Sequence, residues 1–138
     1  MPHVRVLPDV LTDGWRLHDI EWETWGEPGR EGVERHVLWA PTDDDGSVGL
    51  LLRFVPGAHG DFHKHLGIEL MLVLDGVLDH SDGRRFGRGA LIVESPGTRH
   101  QMSSTTGCTV LAVRTKPALT RLPEATDLAA TGYASLAR

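Results

Sequence analysis

Gly57-Ala58-His59-Gly60-Asp61-Phe62-His63-Lys64-His65-Leu66-Gly67-Ile68-Glu69, running on to Gly76, is the stretch whose reading decides the fold. His63 and His65 stand two apart, so on a strand they project from one face. Leu66-Gly67 allows a tight turn, and Glu69 opens the return strand, where it comes back beside the pair. Two imidazoles and a carboxylate on one face suit a first-row divalent ion, Zn, Fe, Mn, Ni or Cu, at about 2.0–2.2 Å. The same set matches the two-histidine, one-carboxylate arrangement of non-haem iron sites. A lone His-x-His is a weak signal, so the surrounding chain has to support it.

Outward from this stretch the chain reads as short strands. His36 to Ala40 is a strand ended by Pro41, and Val48 to Val55 is the next, closed by Pro56-Gly57. Between them, Asp43-Asp44-Asp45-Gly46 resembles a cation site on paper; a solvated hairpin loop ending in Asp-Gly is the preferred reading. Leu70 to Leu74 and Ala90 to Val93 are nearly all apolar, as for strands buried on both faces. Cys108 to Thr115 is a final long strand. No segment between Val33 and Thr115 sustains a helical period. Sixteen glycines and eight prolines supply the turns such a fold needs. The expectation is an all-β fold, a sandwich or barrel such as a jelly roll.

Residues 31–117 form that barrel in this reading. Residues 1–30 are an N-terminal arm, with a short strand at Val4 to Leu7 and the tryptophans between Trp15 and Trp25 covering the outer apolar face. Residues 118–138 are a C-terminal tail with one short helix around Pro123 to Ala130.

Composition excludes several classes. A chain of 138 residues is one domain, and a net charge of −5 with no basic block argues against nucleic acid or an anionic membrane as partner. No apolar run approaches a membrane span, and the N-terminus lacks a signal-peptide pattern. Cys108 is the single cysteine, which rules out an internal disulfide and a thiolate zinc cluster. A cytoplasmic location is expected. Eight histidines exceed what packing requires.

A second segment supports the first: Gly89-Ala90-Leu91-Ile92-Val93-Glu94-Ser95-Pro96-Gly97-Thr98-Arg99-His100-Gln101-Met102-Ser103-Ser104. Together the two resemble the paired motifs of the cupin superfamily. The first fits G-x5-H-x-H-x3-E-x6-G at every fixed position. The second follows G-x5-P-x-G-x2-H-x3-N at Gly89, Gly97 and His100, with Ser95 in place of the proline and Ser104 in place of the asparagine. The resemblance implies a double-stranded β-helix, the cupin jelly-roll barrel. It also implies that His63, His65, Glu69 and His100 point inward as ligands of one divalent metal ion. Leu51 to Ala58, Val73 to Val77 and Gly107 to Val110 resemble the cupin domain of ChrR-type zinc anti-sigma factors. His63 to Gly67, with Glu94 six residues before His100, is similar to acetylacetone-cleaving dioxygenases, which use an iron centre with a nearby carboxylate. The arm is too short, and lacks the cysteine, for the helical zinc domain of those anti-sigma factors, so a sigma-binding role is not expected.

Other residues carry secondary expectations. Glu94 is a carboxylate in an apolar strand, placed either to orient a ligand or act as a general base, or to meet solvent or an arginine. Arg53 would bind an anionic substrate group in the barrel or else form a surface ion pair. His59 shares the strand parity of His63 and would lie near the barrel mouth. Met102 shares the inward parity of His100 and would shape the pocket wall. Cys108 reads as a packed thiol. The favoured function is a non-haem, Fe(II)-dependent dioxygenase cleaving a C–C bond in a small dicarbonyl or enol, with Glu94 and Arg53 assisting. The alternatives are a Zn, Mn or Ni lyase or isomerase and a non-catalytic zinc-binding sensor. The partners expected are a small-molecule substrate and, on family grounds, a second copy in a homodimer.

Overall fold

In the computed structural model the described residues are 4–11, 17–25, 30–43, 46–60, 62–116 and 118–120, and every regular element among them is a strand. They are β1 (Glu23–Thr24), β2 (Val33–Trp39), β3 (Val48–Phe54), β4 (Ala58–His59), β5 (His63–His65), β6 (Glu69–Gly76), β7 (Leu78–His80), β8 (Arg85–Phe86), β9 (Leu91–Glu94), β10 (Arg99–His100), β11 (Met102–Ser104), β12 (Cys108–Arg114) and β13 (Ala118–Thr120). Three sheets form in the orders β1-β2-β3-β12-β6-β9, β4-β11-β7-β8 and β10-β5-β13. All pairings are antiparallel. No helix among the described residues is long and apolar enough to cross a membrane.

The six-stranded and four-stranded sheets share one core. Val33, Leu50, Leu52, Phe54, Met71, Val73 and Val110 from the larger sheet pack with Leu78 and Met102 from the smaller. Full burial of such a side chain contributes about 1.5–3 kcal/mol. β3 reads Leu50-Leu51-Leu52 without alternation because its two faces are covered by different things. Leu50 and Leu52 face the interior, whereas Leu51 joins Leu17 and Leu74 in a second cluster on the outer face, flanked by Ile20 and Trp22. The arm thus turns the sheet's outer surface into a second core.

Four local expectations change. Residues 4–7 form no strand; Val4 and Val6 are exposed, while Arg5 reaches the Val37 carbonyl and the His36 ring. The tryptophans divide: Trp22 lies on the outer face, Trp25 is inside the core, and Trp15 is outside the described residues. β9 is an edge strand, not one buried on both faces, with Leu91 and Val93 59% and 63% exposed and only Ile92 and Glu94 turned inward. Residues 118–120, assigned to the tail, pair with β5; the helix expected at 123–130 is outside the described residues. The hairpin reading of the Asp43 loop agrees with antiparallel β2–β3 pairing and the Gly46 N–H donating to the Asp43 carbonyl.

Gly76, the last glycine of the first motif, ends β6 with φ of 79°. A Cβ there would land on the Gly107 carbonyl oxygen and 2.7 Å from the Cys108 Cα. Gly76→Ala therefore combines left-handed strain with a backbone clash, and a loss of roughly 2 kcal/mol or more is expected in a denaturant melt.

Candidate metal centre

β5 is three residues long, and its alternation sends Lys64 one way and His63 and His65 the other, into the protein. Antiparallel pairing with β10 sets His100 opposite His63. Reciprocal bonds extend this pairing: the His65 N–H donates to the Thr98 carbonyl and the Gly97 N–H to the His65 carbonyl, each at 2.8 Å. The turn from His65 to Glu69 is held by the Ile68 N–H on Thr115 Oγ1 at 2.9 Å. Gly67 belongs there because a Cβ would approach that same oxygen to 2.5 Å.

Glu69 then begins β6 in a charged row across three strands, since Arg114 of β12 and Glu94 of β9 are its register partners on either side. Two carboxylates directly opposite one another repel and need positive charge nearby. Arg114 provides part of it, with Nε 2.5 Å from Glu69 Oε2. Histidines provide the rest. His65 Nε2 lies 3.1 Å from Glu69 Oε1 and 3.2 Å from Glu94 Oε2. Burial works against charging His65, but the two carboxylates outweigh it and raise its pKa to about 9. Burial likewise opposes ionisation of Glu69 and Glu94, yet Arg114 acting on Glu69, and the surrounding imidazoles acting on both, hold the two well below the usual carboxylate range. For His100 burial prevails and its pKa falls.

His63, His65, Glu69 and His100 each bring one ligand atom into a common space, and all four residues are buried. His100 Nε2 is 2.7 Å from His63 Nε2 and 3.0 Å from His65 Nε2. The three rings stand nearly perpendicular to one another, at 79–89°. Nitrogens about 2.0–2.1 Å from a shared cation are about 2.9 Å apart at right angles and about 3.3 Å apart in a tetrahedron. The two observed separations bring the nitrogens close enough together for one cation to join them. Glu69 Oε1 is buried and makes no hydrogen bond, although it faces these nitrogens. Three imidazole nitrogens and a carboxylate oxygen converging on one point fit a divalent cation, which would displace the proton that the carboxylates hold on His65.

His63, Glu69 and His100 also line a small cavity whose walls are mainly apolar: Leu52, Met71, Leu78, Met102 and others. Met102 is where its parity predicts. Arg30 and Arg114 are the cavity's arginines, with the Arg30 guanidinium 3.5 Å above the Trp25 ring.

Arg53 is not among them. It shares the outward parity of Leu51, pairs with Glu34 at 2.8 Å and lies over Trp22: of its two expected places the structure shows the ion pair, and the catalytic role assigned to it inside the barrel is corrected. His59 is half-buried against the Gly60 carbonyl and Gln101 and does not line the cavity. Glu94 points inward, with its two oxygens 2.9 and 2.8 Å from His100 Nδ1.

Sequence reasoning missed His80, whose Nε2 is 2.7 Å from Glu94 Oε1, as well as Trp25, Arg30 and Arg114. The available signal for His80 was strand parity with buried Leu78. Cys108 is buried as expected, and burial pushes its thiol up to about 12. Thiol-specific alkylation is expected to stay negligible from pH 7 to 10 in the native protein and become fast in denaturant.

Comparison with known proteins places this geometry. Among curated proteins, none matches the sequence. A chain of the Rhodobacter sphaeroides complex of SigE with the anti-sigma ChrR is 30% identical with a TM-score of 0.59, over 72% of this chain and 50% of that one. This chain therefore spans half the length of that relative. The Acinetobacter johnsonii acetylacetone dioxygenase superposes with a TM-score of 0.70 at 13% identity, covering 92% of this chain and 80% of that one. The Streptomyces resistomycificus polyketide cyclase RemF gives 0.64 at 22% identity, covering 87% and 94%. At such identities these two show a shared fold. The model of the ChrR cupin-like domain matches residues 13–118, most of the sequence. With both cupin motifs folded into one antiparallel barrel, the chain belongs to the ChrR cupin-like domain family of the cupin superfamily.

Proposed function

We propose that this chain is a metal-dependent dioxygenase that holds one divalent ion on His63, His65, Glu69 and His100 and cleaves a C–C bond in a small dicarbonyl taken up as its enolate. The observation that carries the reading is that the ligand cluster forms one wall of a mainly apolar cavity. A ligand set that borders a cavity leaves room beside the ion for a further ligand. Fe(II) is the ion this reading requires, because the proposed cleavage consumes oxygen; the donor set would accept Zn, Mn or Ni equally. Iron bound there would supply a Lewis acid for the enolate and a redox partner for oxygen.

The chain's own residues do the rest. Arg114 fixes Glu69 through Oε2 and leaves Oε1 toward the imidazoles. Glu94 takes the Nδ1 proton of His100 in a hydrogen bond. Leu52, Met71 and Met102 exclude water from the bound substrate, and the Arg30 charge above Trp25 favours the enolate over the neutral diketone.

The test loads metal-free protein with Fe(II) anaerobically and adds acetylacetone with oxygen. One O2 taken up per diketone consumed, both atoms ending in the cleavage products, is the expected result. Diketone loss under argon with Zn- or Ni-loaded protein would instead establish Lewis-acid lyase or isomerase chemistry. The family match to an anti-sigma protein favours, as second reading, a non-catalytic zinc domain. Tightly held zinc with no turnover under either gas would establish that one.

A further inference from the structure

We propose that His80, which neither cupin motif contains, is a positioning residue that fixes the tautomer of His100. The proposal rests on the metal-centre reading above for its purpose but not for its geometry. The Asp82 N–H donates to His80 Nδ1 at 3.0 Å. Nδ1 also lies 3.1 Å from Asp82 Oδ1, but Nε2 faces the Glu94 carboxylate, which only accepts, so Nε2 carries a proton whether or not Nδ1 does. Nε2 is 2.7 Å from Glu94 Oε1 and donates to it. Asp82 is held in turn: Oδ1, 3.1 Å from the same His80 Nδ1, accepts the Arg84 N–H at 2.9 Å, and Oδ2 accepts from the Arg84 guanidinium.

Glu94 is an ionised carboxylate that can only accept. With His80 on Oε1, its carboxylate is held facing His100 Nδ1, which must carry the proton in order to donate. The unprotonated nitrogen of His100 is then Nε2, the one that meets His63 and His65. A chain of hydrogen bonds starting at a surface turn thus decides which nitrogen of a ligand histidine is available to a cation.

The alternative for Glu94 is close by. Its Oε2 is 3.2 Å from His65 Nε2. Without the His80 anchor the carboxylate is free to rotate toward His65, releasing His100 to either tautomer. His80 is placed for this by β7: Leu78 fills the core, and two residues on the same face brings the imidazole against Glu94 and 5.4 Å from the His100 ring centre.

The experiment uses His80→Leu, His80→Asn, whose amide stops short of Glu94, and His80→Gln, whose amide can donate where Nε2–H did. Two readouts are taken on full-length protein: the 15N shifts of His100 without metal, and the affinity for Co(II) by visible absorption. Wild type is expected to show Nδ1–H on His100. His80→Leu and His80→Asn are expected to show mixed tautomers and to lose about 10–100-fold in Co(II) affinity. His80→Gln is expected to stay within about threefold of wild type. Unchanged His100 shifts in both disruptive variants, or lost affinity with the tautomer intact, would overturn the proposal. Should wild type bind no Co(II), the metal-centre reading fails, yet the metal-free 15N comparison still decides the role of His80.

Discussion

With the proposed ligand set, His100→Ala is expected to abolish the binding of a divalent ion. His100 is the ring both other imidazoles converge on, with Nε2 2.7 and 3.0 Å from theirs, and it is fully buried. Divalent-ion affinities of about 10–16 kcal/mol spread over four ligands give roughly 3 kcal/mol for one of them. Removing it should weaken binding by about 100- to 1,000-fold. Metal analysis after dialysis is expected to fall from one ion per chain to a small fraction. His59→Ala is the comparison, because that imidazole lies four residues from the first ligand yet hydrogen-bonds to the Gly60 carbonyl and Gln101 rather than to the cluster; its metal content should match wild type. Equal retention in both variants would refute the assigned ligand set. His100→Gln keeps most of the side-chain volume, so any loss of metal common to the two substitutions is not a packing effect.

The second large effect concerns stability. Arg114→Met should destabilise the metal-free protein by about 3–5 kcal/mol, the range for breaking one side of a buried ion pair. Glu69 is 1% exposed and Arg114 10%, with 2.5 Å between Nε and Oε2. Burial alone would drive the Glu69 carboxyl to its neutral form; Arg114 is the largest influence holding it ionised. Methionine fills the volume of the arginine stem but leaves a charged oxygen deep in the barrel, opposite the Glu94 carboxylate. For a chain of this size the loss corresponds to a fall in Tm of about 10–20 °C. Arg114→Met combined with Glu69→Leu removes both charges and should recover much of the difference. A single variant that melts within about 1 kcal/mol of wild type would show the pair to be solvated rather than buried.

How much of this was legible beforehand depends on where the sequence alternates. At His63-Lys64-His65 the period of two is visible, because a charged residue separates two imidazoles, and the inward face could be read directly. At Leu50-Leu51-Leu52-Arg53 it is not: three leucines in succession hide the parity, and Arg53 could be assigned to either face. The arm packed on Leu51 creates that ambiguity by making the outer surface as apolar as the inner. β9 misleads in the opposite direction. Leu91 and Val93 look like core residues and are on the surface of an edge strand, while the one carboxylate, Glu94, is inside. Trp25, Arg30 and Arg114 come from three separate parts of the chain and meet only when β2, β6 and β12 close the cavity, so no local pattern announces them. The motif glycines, by contrast, mark backbone positions with a demonstrable steric need, as at Gly67 and Gly76.

The alternation of β9 also limits how its sequence can change length over evolutionary time. Inserting or deleting a single residue between Gly89 and Glu94 would shift the strand's alternation by one, putting Val93 or Ser95 in place of the carboxylate beside His100 and turning Glu94 out to water. In the surface turn at 81–84, Asp82 anchors His80 and Ser81 Oγ accepts the Gln101 N–H, while the remaining positions tolerate far more variation. Homologues that keep the centre should therefore differ in the loops on either side of this strand while conserving its residue count.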